Sequence, residues 1–131
     1  MTTAPTLAGP DAEGQVLALV NEERARAGCE PLTVDGQLTA VARAHSADMR
    51  DRGFFHHVNP SGQDPFARAS AAAITARAEN IARGQQDAAA VVHSWMGSPG
   101  HRANILDCRS RSLGVGLATG AGGPWWTQLF A

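Results

Sequence analysis

The chain predicts an α+β fold, a three-layer α/β/α sandwich around a central, mainly antiparallel sheet. Its first two thirds place apolar residues at three- and four-residue spacing between helix caps. Its last third switches to alternation from Leu113 to Thr119, and after a glycine-rich turn the run Trp125 to Phe130 is aromatic and β-prone. Helices first and a hairpin last call for a sheet covered by helices on both sides.

Asp11 is expected to cap a first helix with Val16, Leu17, Val20 and Ala27 facing inward, a charged and solvated face from Asn21 to Arg26, and an end at Gly28. Asp35 opens a second helix whose inward positions are Leu38, Val41, Ala42, His45, Met49 and Arg52, closed by Gly53. Asp64-Pro65 starts a short third helix through Phe66 and Ala69. A strand is expected between Ile74 and Ile81, where neighbours Glu79 and Asn80 point to opposite faces. Asp87 starts a fourth helix with Val91, Val92, Trp95 and Met96 inward. Gly97 ends it, Ser98 is placed to cap a new helix, and Pro99 suits that helix's first position. His101 then falls in a first turn, where the positive end of the helix dipole keeps an imidazole neutral.

With 131 residues the chain fits one domain, expected over residues 11–131 and preceded by a flexible segment, residues 1–10. That opening has neither a basic start nor a continuous apolar run, so a signal peptide is not expected within it. A net charge of −1, with every cationic residue an arginine and no long basic run, argues against nucleic acid as a partner. No apolar stretch approaches the roughly 20 residues of a membrane span, so no transmembrane segment is expected. Cys29 and Cys108 stand far apart without Cys-x-x-Cys spacing. They are either a disulfide or two separate buried thiols. As a disulfide they would close a loop of roughly 80 residues, worth about 4 kcal/mol in the chain-entropy model.

His57 with Pro60 and Gly62, Glu79-Asn80-Ile81, Trp95-Met96-x-Ser98-Pro99-Gly100-His101-Arg102-x-Asn104-Ile105-Leu106, Gly114-Val115-Gly116 and Trp126-Thr127-Gln128-x-Phe130 occur in that order. Together they resemble the CAP superfamily, the SCP-like or cysteine-rich secretory, antigen 5 and pathogenesis-related 1 proteins, and most of all its short bacterial branch. The resemblance runs from about Val16 to the C-terminus. It implies an antiparallel sheet between helical layers and a cleft that larger members line with two His and two Glu. The matching positions here are His57, Glu79 and His101, while Ser98 stands where the second Glu would be. The resemblance also implies a link between Cys29 and Cys108, joining the end of the first helix to the lead-in of the hairpin.

Two neutral imidazoles, His57 and His101, with the Glu79 carboxylate offer the N and O ligands that zinc accepts, leaving a position for water. Zn2+ or another divalent cation, weakly bound, is therefore the only expected cofactor. Against a specific zinc site, no His-Glu-x-x-His helix exists and one of the four family positions is neutral. Glu79 is the candidate catalytic residue, as a base whose pKa an apolar cleft would raise; alternatively it anchors its surroundings by accepting hydrogen bonds. Ser94 and Ser98 lack the strained elbow of a nucleophilic serine. His56 should point away from the cleft, and His45 reads as a hydrogen-bonded core histidine. His93 belongs on a helix flank. Trp95, Trp125 and Trp126 suit the core, although one exposed Trp could form a binding platform. Asn80, Arg102 and Asn104 are expected to fix loops.

The function expected is that of a secreted, monomeric CAP-domain protein whose cleft of His57, Glu79, Ser98 and His101 binds a small-molecule, lipid or cell-wall ligand or a divalent ion without turnover. A metal-dependent peptidase or amidase and a purely structural or interaction module are the alternatives.

Overall fold

The computed structural model describes residues 10–131. Helix α1 spans Pro10–Arg26, followed by strand β1 (Thr33–Val34), α2 (Gly36–Arg52), α3 (Pro65–Ser70) and β2 (Ala78–Arg83). Then come α4 (Ala88–Met96), α5 (Pro99–Ile105), β3 (Ser112–Ala118) and β4 (Trp125–Phe130). The expected N-terminal segment lies outside the described residues, apart from Pro10. Because α1 already begins at Pro10, Asp11 sits inside the first turn and not at the capping position.

The strands lie in the order β1-β3-β4-β2, with β3 and β2 both antiparallel to β4. Only the two-residue β1 is parallel, pairing Thr33 with Ser112 and Val34 with Leu113. The side-chain alternation of the strands sorts the two faces. On one, Leu113, Val115, Trp126 and Phe130 pack with Val16, Val20, Trp95 and Ile105 from α1, α4 and α5. On the other, Leu129 packs with Leu38 and Ala42 of α2, and Ile81, Ala118 and Trp125 with Met49. This is the α/β/α sandwich expected.

Gly114 and Gly116 explain how α2 comes so close. A Cβ at Gly114 would collide with the backbone of Leu38 and Thr39, and one at Gly116 with that of Ala42 and Arg43. The contact is sealed by Ser46, whose hydroxyl donates to the Gly116 carbonyl at 2.9 Å and sits 2.7 Å from the Thr127 hydroxyl. Ser46 is therefore buried, while Arg52 is exposed and Val41 half-buried, which corrects the inward stripe expected for α2. Asp35, Asp64 and Asp87 all cap as expected, through carboxylates that accept from backbone N–H groups in the first turn.

The face Asn21 to Arg26 is not simply solvated. Arg24 is fully buried, and its guanidinium donates to the carbonyls of Glu30, Ile105, Asp107 and Ser110. Asn21 donates to and accepts from the Leu32 backbone. Beside the Arg24 anchor, Cys29 and Cys108 form a disulfide with their Cα atoms 4.9 Å apart. All three tryptophans are at most 3 % exposed, so none offers a platform. Their indole N–H groups donate to the carbonyls of Ile81, Ala121 and Gln85.

Candidate functional site

Glu79 lies on the edge strand β2, paired with Leu129, and its side chain is 1 % exposed. Such a carboxylate must be matched by donors. Arg68 of α3 supplies two, from Nη1 to Oε2 at 2.8 Å and from Nη2 to Oε1 at 3.0 Å. His57 supplies the third through Nδ1, 2.8 Å from Oε1. Arg68 closes the ring by donating from Nη2 to the His57 carbonyl at 2.6 Å. Because an ionised carboxylate only accepts, Nδ1 of His57 carries the proton, and in the neutral ring Nε2 is a bare acceptor. The His57 side chain is 45 % exposed. The ring is thus pinned on one side and open on the other.

Burial pushes the Glu79 carboxyl up, but the hydrogen bonds from His57 and Arg68 and the Arg68 charge outweigh it and hold the group below its ordinary value. The raised pKa expected of an apolar cleft is therefore corrected, because Arg68, buried in a helix of only six residues, offsets the burial and nothing local in the sequence marks it.

His101 sits in the first turn of α5, with its carbonyl accepting from Asn80 Nδ2 at 3.1 Å. Burial, followed by the charge His57 carries when protonated, lowers its pKa and so favours the neutral ring. The neutrality matches the expectation, while the causes are burial and His57. Asn80 also donates to Gln128 and accepts from Asn104 Nδ2 at 2.8 Å, on the face opposite Glu79. This polar seam fixes α5, and with it His101, against β2. Arg102 is exposed. Ser98 has the extended backbone of a cap residue, but its hydroxyl makes no capping hydrogen bond.

His56 is exposed, and its Nδ1 accepts from the Val58 N–H, so His57 alone of the pair meets Glu79. His45 is 1 % exposed and donates through Nε2 to the His56 carbonyl at 2.9 Å, the core role expected of it. His93 is exposed on α4. Ser94 is exposed, and its hydroxyl accepts from Gln85 Nε2 at 3.4 Å. Among the described residues no group of three or more His, Cys, Asp or Glu is placed to hold a metal ion. Glu79, with both oxygens taken by Arg68 and His57, does not fit as a ligand.

The fold corresponds to a known class. The model of the CAP family, described as the cysteine-rich secretory protein family, matches residues 17–130, and the chain belongs to that family. The uncharacterized protein YkwD of Bacillus subtilis strain 168 is 41% identical over 120 residues, covering 90% of this chain and 46% of that protein. The crystal structure of an extracellular protein containing an SCP domain from Bacillus anthracis strain Ames superposes with a TM-score of 0.84 at 30% identity, over 98% of this chain and 44% of that one. This chain thus spans less than half the length of both relatives. An outer surface protein of Borrelia burgdorferi shares the fold, with a TM-score of 0.85 at 18% identity over 98% of this chain and 97% of its own. No helix among the described residues is long and apolar enough to cross a membrane.

Proposed function

We propose that the chain is a secreted CAP-domain binding module whose cleft, between His57 and His101, takes a small polar ligand without turning it over. The observation that carries this reading is the Arg68–Glu79–His57 relay, which spends the carboxylate on orienting one imidazole and leaves Nε2 as the open group. A ligand that donates a hydrogen bond to Nε2 and meets the neutral ring of His101 suits that arrangement, as a polar cell-wall fragment would. Secretion is supported by the likeness to an extracellular relative and by the disulfide.

Hydrolysis is the weaker reading, because a carboxylate with a lowered pKa and all its near donors in place is a poor general base. A divalent ion is the second reading, favoured by one observation: a histidine whose Nδ1 is held by a carboxylate is the arrangement found behind metal-bound Nε2 atoms. Two imidazoles alone make such binding weak. Zinc and magnesium titrations by calorimetry, into the wild type and into His57→Ala/His101→Ala, test it. Weak heats lost in the double variant support the reading, and heats that persist there remove it. For the main reading, peptide and peptidoglycan-fragment panels are followed by NMR and by product analysis with metal present. Shifts at His57 and His101 without cleavage support it; cleavage abolished by Glu79→Gln overturns it.

A further inference from the structure

Between the C-cap of α2 at Gly53 and the N-cap of α3 at Asp64 the chain forms neither helix nor strand, and this segment carries His57. From Phe55 to Val58 its backbone is hydrogen-bonded to the rest of the described domain at two successive carbonyls. His45 Nε2 donates to that of His56 at 2.9 Å, and Arg68 Nη2 to that of His57 at 2.6 Å. Both donors are buried side chains. The His45 ring also meets Phe54 edge-on at 5.6 Å, and Phe54 packs in turn against the cluster of Met49, Ile81 and Trp125.

An arginine stays charged throughout the folded range, whereas a histidine titrates within it. With Nε2 donating, the neutral His45 ring keeps Nδ1 bare, closed to solvent and without a hydrogen-bond partner. Protonation adds a hydrogen and a charge at that nitrogen, where no acceptor stands to receive the hydrogen. The surrounding charges are engaged elsewhere. Asp48, on α2 itself, accepts from Arg52, with Nη2 2.7 Å from Oδ2, and Glu79 of β2 is held by Arg68 and His57. Burial first, and the Arg68 charge of α3 with it, outweigh the pull of Glu79 and Asp48 and hold the ring below its ordinary value of 6.5. We propose that His45 is an acid-released clamp: neutral, it closes the segment that carries His57; protonated, it leaves its socket, frees the His56 carbonyl and draws the His57 ring off Glu79. Control of the cleft by acidity rests on the binding reading above, whereas the release itself does not.

The test is an NMR titration of the wild-type chain with acid, without ligand, following the His45 and His57 rings and the amides of residues 54–58. Amides of β3 and β4 report on the intact fold. Protonation of His45, movement of the 54–58 amides towards their unfolded positions and loss of the His57–Glu79 hydrogen bond are expected at one shared midpoint below 6.5, while β3 and β4 keep their folded shifts. Below the ordinary histidine value each pH unit multiplies the open population by about ten, because the open ring takes up one proton that the closed ring refuses. His45→Gln, whose side-chain amide still donates but does not titrate, keeps the segment closed over the same range. His45 protonating without movement of the segment, release that persists in His45→Gln, or the whole fold opening at the same midpoint overturns the proposal. The wild-type midpoint decides on its own if His45→Gln does not fold. Because no ligand is present, a cleft that binds nothing leaves this outcome unaffected.

Discussion

Arg68 and Glu79 form a two-pronged ion pair, at 2.8 and 3.0 Å, with side chains 8 % and 1 % exposed. It joins α3 to the edge strand β2, and through the His57 carbonyl it also fixes the backbone that carries the His57 imidazole. Removing one partner of a buried pair strands the other charge, at a cost of about 3–5 kcal/mol. Arg68→Ala should therefore lower unfolding stability by about that amount in urea titrations. A loss under about 1 kcal/mol would show the pair to be solvated.

Acid should destabilise the protein in two stages. His45 and His101 are held below their ordinary value of 6.5, each chiefly by burial. Unfolding lets them take up protons that the folded chain resists, so their contribution is complete above about pH 6.5 and declines as pH falls below it. Glu79, also held below its ordinary value, contributes fully above about pH 4.5 and loses that contribution as its folded form is protonated in stronger acid. Calorimetric Tm against pH should fall on both legs, and His45→Gln should flatten the first. A Tm that rises from about pH 7 to about pH 5 would contradict the assignment.

Gly114→Ala and Gly116→Ala should each destabilise the fold, because the added methyl meets helix backbone and not a movable side chain. Overpacking of this kind costs about 1–3 kcal/mol. Denaturant midpoints check it, with Gly14→Ala as a control at which a Cβ meets nothing within 4 Å.

The disulfide spans 79 positions. Its loss in Cys29→Ser/Cys108→Ser should cost about 4 kcal/mol by the chain-entropy argument. Urea unfolding of the double variant measures this, and a change within about 1 kcal/mol of zero would place the stabilisation of that corner in the Arg24 carbonyl contacts instead.

Much of this was legible in the chain. Asp35, Asp64 and Asp87 announce their helices because an N-cap is a local device, and the Leu113 to Thr119 alternation with the β-prone run Trp125 to Phe130 announces the hairpin because strand signals are local too. Glu79 and Asn80 were placed on opposite faces by the same rule. What escaped notice depends on distant partners. Arg24 and Arg68 look like solvated arginines until the groups they serve are folded against them, a carbonyl 86 positions away for Arg24 and a carboxylate 11 positions away for Arg68. Strand β1 is two residues long, too short for any periodicity, and exists only because Ser112 and Leu113 lie beside it. The lowered pKa of Glu79 is hidden in the chain for the same reason, since its burial is inferable from the sequence and the pairing with Arg68 is not.

The protonation state of the His57 ring tests the account most directly. Long-range nitrogen–proton NMR of the imidazoles, recorded with the rings neutral, reads which ring nitrogen holds the hydrogen. The relay requires Nδ1–H in the wild type, toward Glu79, with Nε2 bare, and a shift away from that form in Glu79→Gln. A wild-type His57 found with its proton on Nε2 would mean that Glu79 does not orient the ring, and the proposed cleft would lose its open acceptor.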